Sequence, residues 1–375
     1  MNNIDYHRKN PQTSIDQHVR RRVIKLGQRL APRLPVYLDT KFWIILRKAV
    51  LNPRSFAEGI ELLQHLRTAV ASGVIFCPIS EGIFFELMKQ SDGGSRLATA
   101  RLIDELSLGV TLVPHQMRVA AELARFIHLS EFGEAVLDPL NHLVWSKLTY
   151  VLGFVHPGAT PFDHETELAV QKAFFDHMWT LTLEQMVTRI GDMSRMEDLH
   201  FSNLARTLNV GVAKHAEELR SFKQTLAAEL AGAADACGDL ILEIVSDIAV
   251  KKGETPIEPN STQWSQLRSQ WTRLLARAMQ VNPSTRHHIR TLYIEASLHA
   301  GFRWDKPRRF TGNDIYDFHH ADAALAYCRA FFTEGALKSL IQNNNLALDK
   351  IYDCNVLSAL PDAISYLAKM KTAQV

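Results

Sequence analysis

Residues 36–39 read VYLD, a short β-prone run that follows Pro35 and ends in an acid. An amphipathic pattern begins directly after this acid and places four apolar side chains on one helical stripe: Phe42, Ile45, Leu46 and Ala49. The pattern stops at Asn52-Pro53, where a helix is expected to end because proline has no amide hydrogen to donate. The run therefore predicts a strand that delivers Asp39 to the start of a helix.

Two further apolar runs of similar length follow along the chain. Residues 74–77 read VIFC, and residues 110–113 read VTLV. Helical patterns separate these runs, at residues 56–71, 80–90 and 95–108. Strands that alternate with helices usually form a parallel sheet with right-handed crossovers. We therefore expect an α/β fold for this part of the chain.

The same alternation returns near the C-terminus. Residues 330–333 and 346–351 are strand candidates, each preceded by a helical pattern, whereas the long region between the two halves shows helical periodicity. The predicted fold class is α/β, with a parallel five-stranded sheet flanked by helices and a large all-helical insertion. This prediction divides the chain into four segments: 1–33, 34–115, 116–309 and 310–375.

The first segment is polar and strongly basic. Its lysines and arginines far outnumber its two acids, Asp5 and Asp16. Charge runs of this kind are usually solvated. We therefore expect a loose basic arm that contains at most a short helix.

The overall composition excludes several classes of protein. The 375 residues include 42 Lys+Arg and 40 Asp+Glu, a net charge of +2 that excludes a histone-like polycation and an acidic solvating tail. Apolar residues make up 46%, as in globular chains. Neither an apolar run of roughly 18 residues nor a hydrophobic signal segment is found, so we expect a cytoplasmic protein without membrane contact. C-x-x-C spacing, typical of zinc knuckles, does not occur among Cys77, Cys237, Cys328 and Cys354.

Acidic side chains follow the predicted strands where a parallel sheet binds its ligands, beyond the carboxyl ends of the strands. Asp39 ends the first strand, Glu86 lies on the helix after the second, and Glu334 follows the fourth. Asp314 and Asp317 share one face of the helix before the fourth strand. Carboxylates gathered at one rim raise each other's pKa, and a hard cation relieves that repulsion. Since carboxylates and water suit Mg²⁺ or Mn²⁺, the sequence predicts a site for one of these metals.

Each acid also has a purely structural interpretation. Several can act as helix caps or as partners of helix dipoles: Asp39, Asp314, Asp317 and Glu334. Glu86 lies in the apolar run IFFELM at residues 83–88, where an ionised side chain needs a partner or a metal. At 100° per residue, however, Glu81 falls inside the apolar arc of this helix and Glu86 falls outside it. Periodicity alone does not choose between these two glutamates.

The order of these motifs resembles that of PIN-domain nucleases. The resemblance rests on the following stretches: Asp39 after a strand, Pro78-Ile79-Ser80 leading to Glu86-Leu87, Asn313-Asp314-Ile315-Tyr316-Asp317 with His319-His320, Ala326-Tyr327-Cys328, and Phe332-Thr333-Glu334. It covers residues 34–115 and 310–355, which is less than half of the chain. PIN motifs are short and degenerate, so it is their order and spacing that carry the resemblance.

The resemblance implies a PIN-like five-stranded sheet and a metal-dependent endoribonuclease, such as a toxin, a defence effector or an RNA-processing enzyme. It assigns the first three metal-binding acids in chain order: Asp39, Glu86 and Asp317. Thr333-Glu334 falls where many relatives have Thr-Asp, so Glu334 is the fourth candidate, and Asp314 substitutes or assists. The resemblance also implies attack by a metal-activated water, products with 5′-phosphate and 3′-hydroxyl ends, and a hydrogen bond from Thr333 to a ligand or phosphate oxygen.

A basic and aromatic stretch precedes the acidic helix. Such interleaving is typical of a groove that follows an RNA backbone and stacks bases on rings, although a solvated loop has the same composition. The predicted RNA-binding residues are Arg303, Lys306, Arg308 and Arg309, and the rings among them are Phe302, Trp304 and Phe310.

Two alternatives to a nuclease stay open on the sequence. One is a catalytically inactive PIN-like scaffold whose helical insertion binds a protein or RNA partner. This alternative stays open because Glu334 stands where many relatives have aspartate. The other is an all-helical interaction protein whose acids are only caps. The apolar insertion also suits a homodimer. The pair His319-His320 could indicate a transition-metal site or a general acid, but packing or hydrogen bonding to the metal ligands is the simpler interpretation.

Overall fold

The computed structural model describes residues 3–132, 138–191, 199–214, 220–305 and 308–372. The chain is 70% helical, with a small parallel sheet of four strands flanked by helices. The strands of the described residues are β1 (Leu34–Leu38), β2 (Ile75–Phe76), β3 (Val110–Leu112), β4 (Trp145–Lys147), β5 (Ala330–Phe332) and β6 (Asn355–Leu357).

Helices occupy most of the remaining described chain. In chain order they are α1 (Asn3–Arg8), α2 (Ile15–Leu30), α3 (Thr40–Leu51), α4 (Ala57–Ala71), α5 (Glu81–Met88), α6 (Gly93–Ser107), α7 (His115–Phe132), α8 (Leu140–Leu143), α9 (His164–Met178), α10 (Leu183–Ile190), α11 (Leu199–Lys214), α12 (Phe222–Ala236), α13 (Gly238–Lys251), α14 (Thr262–Val281), α15 (Pro283–His288), α16 (Arg290–Trp304), α17 (Gly312–Tyr327), α18 (Gly335–Ile341), α19 (Leu348–Ile351) and α20 (Leu360–Thr372). Short polar residues fix many of their starts by accepting a hydrogen bond from the first turn, among them Ser14, Asp92, Asp163, Ser221 and Ser261.

The strand β1 lies inside the parallel sheet, whose order is β2-β1-β5-β6. Its last three residues are completely buried, as expected for a parallel strand that is covered on both faces. In the register of β1 and β5, Leu38 pairs with Phe332. The next residue of each strand, Asp39 and Thr333, therefore leaves the sheet side by side at its carboxyl edge.

Helices from both ends of the chain cover this sheet. The helices α3 and α4 connect β1 to β2, whereas α18 and α19 connect β5 to β6. The helix α17 leads into β5 and packs against α16 from the middle region, and α20 packs against α4. One hydrophobic cluster runs through the sheet, the flanking helices and the middle region. The middle region therefore shares its core with the sheet.

The strand expected at 110–113 is present as β3, but the prediction that it joins the parallel sheet is wrong. It pairs antiparallel with β4, which places Thr111 opposite Ser146. A single parallel bridge between Ile79 and Thr111 links it to the chain that leaves β2. Because β4 lies inside the middle region, the prediction of an all-helical insertion is also wrong. The parallel sheet of the described chain contains four strands rather than five.

The strand expected at 346–351 is wrong as well. Ala347 has a left-handed backbone (φ 46°) and precedes α19, so the segment cannot run straight through as a strand. The fourth strand of the sheet is instead β6, where Val356 is buried opposite Phe331. The apolar residues of 346–351 are core residues of a turn and a short helix.

The expectation of a loose N-terminal arm is corrected by α2. This helix starts at a capping box in which Ser14 and Gln17 exchange side-chain and backbone hydrogen bonds. Val23, Leu26 and Leu30 form a buried stripe at helical spacing, and most of the basic residues of the helix are exposed outside this stripe. The apolar stripe is sufficient to pack the helix against the core. The composition of the segment does not reveal this stripe, because charged residues surround it in the sequence.

The helical periodicity of the middle region is confirmed, with breaks that the pattern did not indicate. Residues 164–190 form two helices, α9 and α10, because Thr182 starts α10 with a capping box that includes Gln185. Residues 283–304 form α15 and α16, with a break at Ile289.

Two further properties of the described chain are simple to state. All four cysteines are free thiols, and Cys77, Cys328 and Cys354 are buried. None of the described helices combines the length and the apolar character needed to cross a lipid bilayer.

Candidate functional site

The end of β1 places Asp39 at the carboxyl edge of the sheet. Its backbone amide donates to the carbonyl oxygen of Phe332 at 3.0 Å, and its carboxylate accepts from the backbone amide of Phe42 at 3.2 Å. Only 5% of Asp39 is exposed. Burial raises the pKa of its carboxyl to about 6, although Thr333 and His320 partly offset the effect. Asp39 is therefore the cap of α3 and also a carboxylate that is poorly stabilised as an anion.

Glu86 extends from α5 toward the same edge. Its Oε2 accepts a hydrogen bond from the Thr40 hydroxyl and lies 2.7 Å from His320 Nε2. Burial opposes its ionisation, but the hydrogen bond and charge of His320 hold the pKa of Glu86 below its usual value. Glu81, the alternative on this helix, instead accepts from the backbone amide of His115 at 2.7 Å. The structure thus places Glu86, and not Glu81, at the sheet edge.

His320 is part of a buried chain of hydrogen bonds. Its Nδ1 lies 2.9 Å from the Tyr37 hydroxyl, which lies 2.6 Å from Ser80 Oγ. Gly82 makes room for the ring, since a Cβ at that position would come within 2.8 Å of His320 Cε1. Burial disfavours the charged imidazole, but Glu86 and the acids around it raise the pKa of His320. The contacts of its two ring nitrogens, to Tyr37 and Glu86, fix the imidazole of His320 behind the acids.

Asp317 lies one turn before His320 on α17. Its carboxylate has no hydrogen bond or ion pair with another described residue. Burial raises the pKa of Asp317 to about 7, and the negative charges of Glu334, Asp39 and Glu86 add to that effect. The acids that the sequence separates by up to 295 positions are therefore close enough to repel one another.

Thr333 and Glu334 follow β5 and complete this edge. The Thr333 hydroxyl is buried and has no hydrogen-bond partner of ordinary geometry among the described residues, although it is close enough to lower the pKa of Asp39. Glu334 precedes α18 without capping it, and its side chain is exposed. Its negative charge raises the pKa values of Asp39 and Asp317, so it borders the same space.

We call Asp39, Glu86, Asp317 and Glu334 the sheet-edge acids. Within the described structure no three of them have ligand atoms within 4.8 Å of one another, so they are not arranged as a closed set of metal ligands. Two groups of three side chains in the described chain have ligand atoms that all lie within 4.8 Å of one another, and neither group includes a sheet-edge acid. These groups are His7 with His18 and Asp176, and His115 with His319 and Asp322.

Asp314 lies on the same helix but has local partners. Its Oδ2 accepts hydrogen bonds from the backbone amide and the hydroxyl of Thr311, at 2.8 and 2.6 Å, in a capping box. Its Oδ1 lies 3.4 Å from the guanidinium of Arg308, which stacks over the Phe302 ring. The structure therefore uses Asp314 to start α17 and does not bring it to the sheet-edge acids.

The predicted RNA-binding residues are divided among different surroundings. Arg303 is largely buried and forms an ion pair with Glu229 at 2.8 Å. Arg308 and Arg309 are exposed. Lys306 lies outside the described residues. The aromatic and basic stretch is thus partly core, with two arginines left at the surface.

Sequence reasoning missed two polar partners of the site, Thr40 and Tyr37. Tyr37 on β1 and Asp39 directly after it are two positions apart in extended chain and therefore point to the same side, which is a usable signal in the sequence. Thr40 follows Asp39 directly, but only its geometry reveals the hydrogen bond to Glu86. The interpretation of His320 as a hydrogen-bond partner of a predicted ligand agrees with its contact to Glu86.

A cavity of about 420 Å³ lies beside the sheet-edge acids, between α5, α17 and the start of α7. The ring of His320 contacts Gly82, which lines this cavity, so the two sites share a wall. The cavity is largely apolar, with imidazole and carboxylate groups at one end. Its lining includes Glu81, Phe85, His115, Phe201, Tyr316 and His319.

Comparison of the chain with protein-family models, with curated proteins and with solved structures finds no match. The chemistry of the site therefore has to be judged from its own residues.

Proposed function

We propose that the chain is a PIN-like, metal-dependent endoribonuclease whose active centre is formed by the sheet-edge acids. The observation that carries the proposal is the meeting of Asp39, Glu86 and Asp317, from three distant parts of the chain, at the carboxyl edge of a parallel sheet. Burial and mutual repulsion raise the pKa of Asp39 to about 6 and that of Asp317 to about 7. A fold that keeps acids in this state gains from a cation placed among them.

The residues present fit Mg²⁺ or Mn²⁺. These ions prefer carboxylate oxygens and retain several waters, so an open arrangement of acids suits them better than a closed one. Asp39, Glu86 and Asp317 would hold the ion, with Glu334 at the rim. When bound, such an ion lowers the pKa of a coordinated water and neutralises charge on a scissile phosphate.

The remaining residues have roles that follow from their contacts. Thr40 and His320 each contact Oε2 of Glu86 and so fix the direction in which its other oxygen points. The buried Thr333 hydroxyl lies beside Asp39 without a hydrogen bond of ordinary geometry, so it would donate either to that carboxylate or to a phosphate oxygen. Arg308 and Arg309 are the exposed residues of the predicted set that could contact an RNA backbone.

The decisive experiment is a cleavage assay with the full chain, Mn²⁺ and labelled single-stranded and structured RNA. Asp39→Asn should reduce cleavage by more than the roughly 100-fold that loss of a group supporting a metal costs. Its melting temperature should equal or exceed that of the unmodified protein, because asparagine keeps the cap of α3 and removes a buried charge.

Asp92→Asn is the matched control, because Asp92 caps α6 through the amide of Ser95 as Asp39 caps α3. It should cleave normally. RNA cleavage that survives Asp39→Asn would show that the activity belongs to another site or to a contaminant. Absence of both cleavage and a Mn²⁺-dependent rise in melting temperature would favour the inactive scaffold.

A further inference from the structure

A second cluster of potential metal ligands lies on the far side of α17 from Asp317. His115, at the start of α7, directs Nδ1 at Asp322 Oδ2 over 2.9 Å. His319 directs its own Nδ1 at the same oxygen over 3.5 Å. The other carboxylate oxygen of Asp322, Oδ1, accepts a hydrogen bond from Arg118 at 2.6 Å. Two imidazoles thus converge on one oxygen, while the arginine fixes the other.

These separations fit a shared first-row metal ion. Bonds of about 2.0–2.2 Å, at angles of roughly 90–110°, place neighbouring ligand atoms about 2.8–3.6 Å apart. The distances of 2.9 and 3.5 Å from Asp322 Oδ2 both lie in this interval. His319 Nδ1 is buried, and apart from its long contact to Asp322 it has no hydrogen-bond partner among the described residues. A metal ion would give this nitrogen the partner that it lacks.

The charges around the two imidazoles also favour a divalent cation. Asp322 and Glu81 contact the single guanidinium of Arg118, and Glu295 lies 3.5 Å from His115 Nε2. Three carboxylates and one guanidinium leave two negative charges to be balanced at the imidazoles. Either protons or one divalent ion can supply this charge, and the two compete because a histidine must be neutral to bind a metal.

The cluster is accessible, as a metal site must be. Both histidines and Glu81 line the 420 Å³ cavity described above. The cavity offers an entry path for an ion and space for a water or a small ligand as a further metal ligand. Imidazole nitrogens with a carboxylate oxygen are the donors that Zn²⁺ and similar ions prefer, in contrast to the all-oxygen sheet-edge acids.

The group formed by His7, His18 and Asp176 shows what a structural cluster looks like in the same protein. Each imidazole Nε2 contacts a different oxygen of Asp176, both at 3.0 Å. The carboxylate therefore links α1 and α2 to its own helix, α9. Neither imidazole is left with a buried, unpartnered nitrogen, and the group does not line the cavity beside α17.

We propose that His115, His319 and Asp322 form a binding site for one divalent transition-metal ion of the Zn²⁺ type, open to the cavity beside α17. Arg118 orients the carboxylate of this site. The site is separate from the sheet-edge acids, and its existence does not depend on nuclease activity.

Titration of the metal-free full chain with Zn²⁺ and Co²⁺ tests this proposal. Calorimetry should find one equivalent of Zn²⁺ that His319→Ala weakens by at least about 100-fold. Two matched variants, His18→Ala in the structural cluster and Asp39→Asn among the sheet-edge acids, should bind that equivalent as the unmodified protein does. His319→Gln keeps the size of the side chain and serves if the alanine variant does not fold.

The absorption spectrum of the Co²⁺-loaded unmodified protein gives a readout that needs no variant. Nitrogen ligands in a site of low coordination number should produce visible bands much stronger than those of an all-oxygen octahedral site. The proposal is wrong if the protein binds no Zn²⁺ beyond the amount lost in Asp39→Asn. It is also wrong if His18→Ala, rather than His319→Ala, removes the tightly bound equivalent.

Discussion

Asp317 and Asp322 lie five residues apart on α17, and the protein surrounds their charges in opposite ways. Asp322 is completely buried, yet Arg118 and His115 overcome the effect of burial and hold the pKa of its carboxyl far below the usual range. The Asp317 carboxyl has no such partner, and burial with the nearby acids raises its pKa to about 7.

The difference shows how two faces of one helix can place two carboxyls in opposite electrostatic surroundings. The ion pair of Asp322 with Arg118 joins α17 to α7 and supports the shared core. Asp317 forms no such stabilising ion pair. Its negative charge is unfavourable unless a cation binds nearby or the carboxyl takes up a proton. Charge that the fold leaves uncompensated marks a functional site more clearly than the number of acids does.

The largest expected effect on stability comes from removing Arg118, the ion-pair partner of Asp322. Arg118→Met keeps most of the apolar stem but leaves Asp322 as a buried, partly unpaired anion. We expect this change to lower the free energy of unfolding by about 3–5 kcal/mol, the range found when one member of a buried ion pair is removed. Urea unfolding at pH 7.5 measures it.

Arg101→Met is the matched control, because Arg101 pairs with Glu184 at the surface and solvent screens that pair. It should change stability little. If both arginine variants were equally stable, the low pKa of Asp322 would not depend on Arg118, and the contrast with Asp317 would lose its basis.

Asp317, whose charge has no compensating partner, predicts a smaller effect of opposite sign: removal of this charge should raise the free energy of unfolding. An Asp317 carboxyl with a pKa of about 7 in the folded chain and about 3.8 when unfolded binds its proton more tightly in the folded state. Stability of the metal-free protein should therefore fall as the pH rises from about 4 through 7. Asp317→Asn should remove the part of this dependence that Asp317 contributes, leaving that of Asp39, and should increase the free energy of unfolding by roughly 1–3 kcal/mol at pH 8 and by less than half of that at pH 5.

Unfolding in EDTA at a series of pH values measures the effect. Asp322→Asn is the informative counterpart, since it should destabilise the protein at pH 8 by leaving the buried Arg118 with only its longer contact to Glu81. An Asp317→Asn variant that is less stable than the unmodified protein at pH 8 would mean that Asp317 has a stabilising partner, and the inferred need for a cation would fail.

Part of this contrast could be predicted from the sequence. Asp39 and Glu334 directly follow predicted strands, Glu86 lies on the helix after the second strand and Asp317 on the helix before the fourth, and parallel topology brings these positions to one edge of the sheet. The spacing of apolar residues also predicted β1, β5 and most helices, because these residues repeat at the strand or helix period. The predictions of these strands and helices succeeded where one local pattern sufficed.

The rest depends on partners that a single sequence does not specify. The run at 110–113 reads as a strand in either sheet, and only the presence of β4 decides which one it joins. Three-residue strands such as β6 carry too few residues to show alternation, so the apolar residues at 346–351 were mistaken for a strand. Arg118 and Asp322 lie on helices far apart in the chain, and no local sequence pattern indicates their ion pair.

The smallest expected effect concerns a third acid of α17, Asp314. Its carboxylate accepts two hydrogen bonds from Thr311, so Asp314→Ala should lower the free energy of unfolding by about 0.5–1 kcal/mol through loss of the capping box. Asp314→Asn keeps an acceptor and should lose less. Both variants should retain Mn²⁺-dependent RNA cleavage within about twofold, because an N-terminal cap lies outside the reacting groups. Loss of cleavage in Asp314→Asn at unchanged stability would place Asp314 with Asp317 among the metal ligands and would contradict a role of Asp314 as a cap alone.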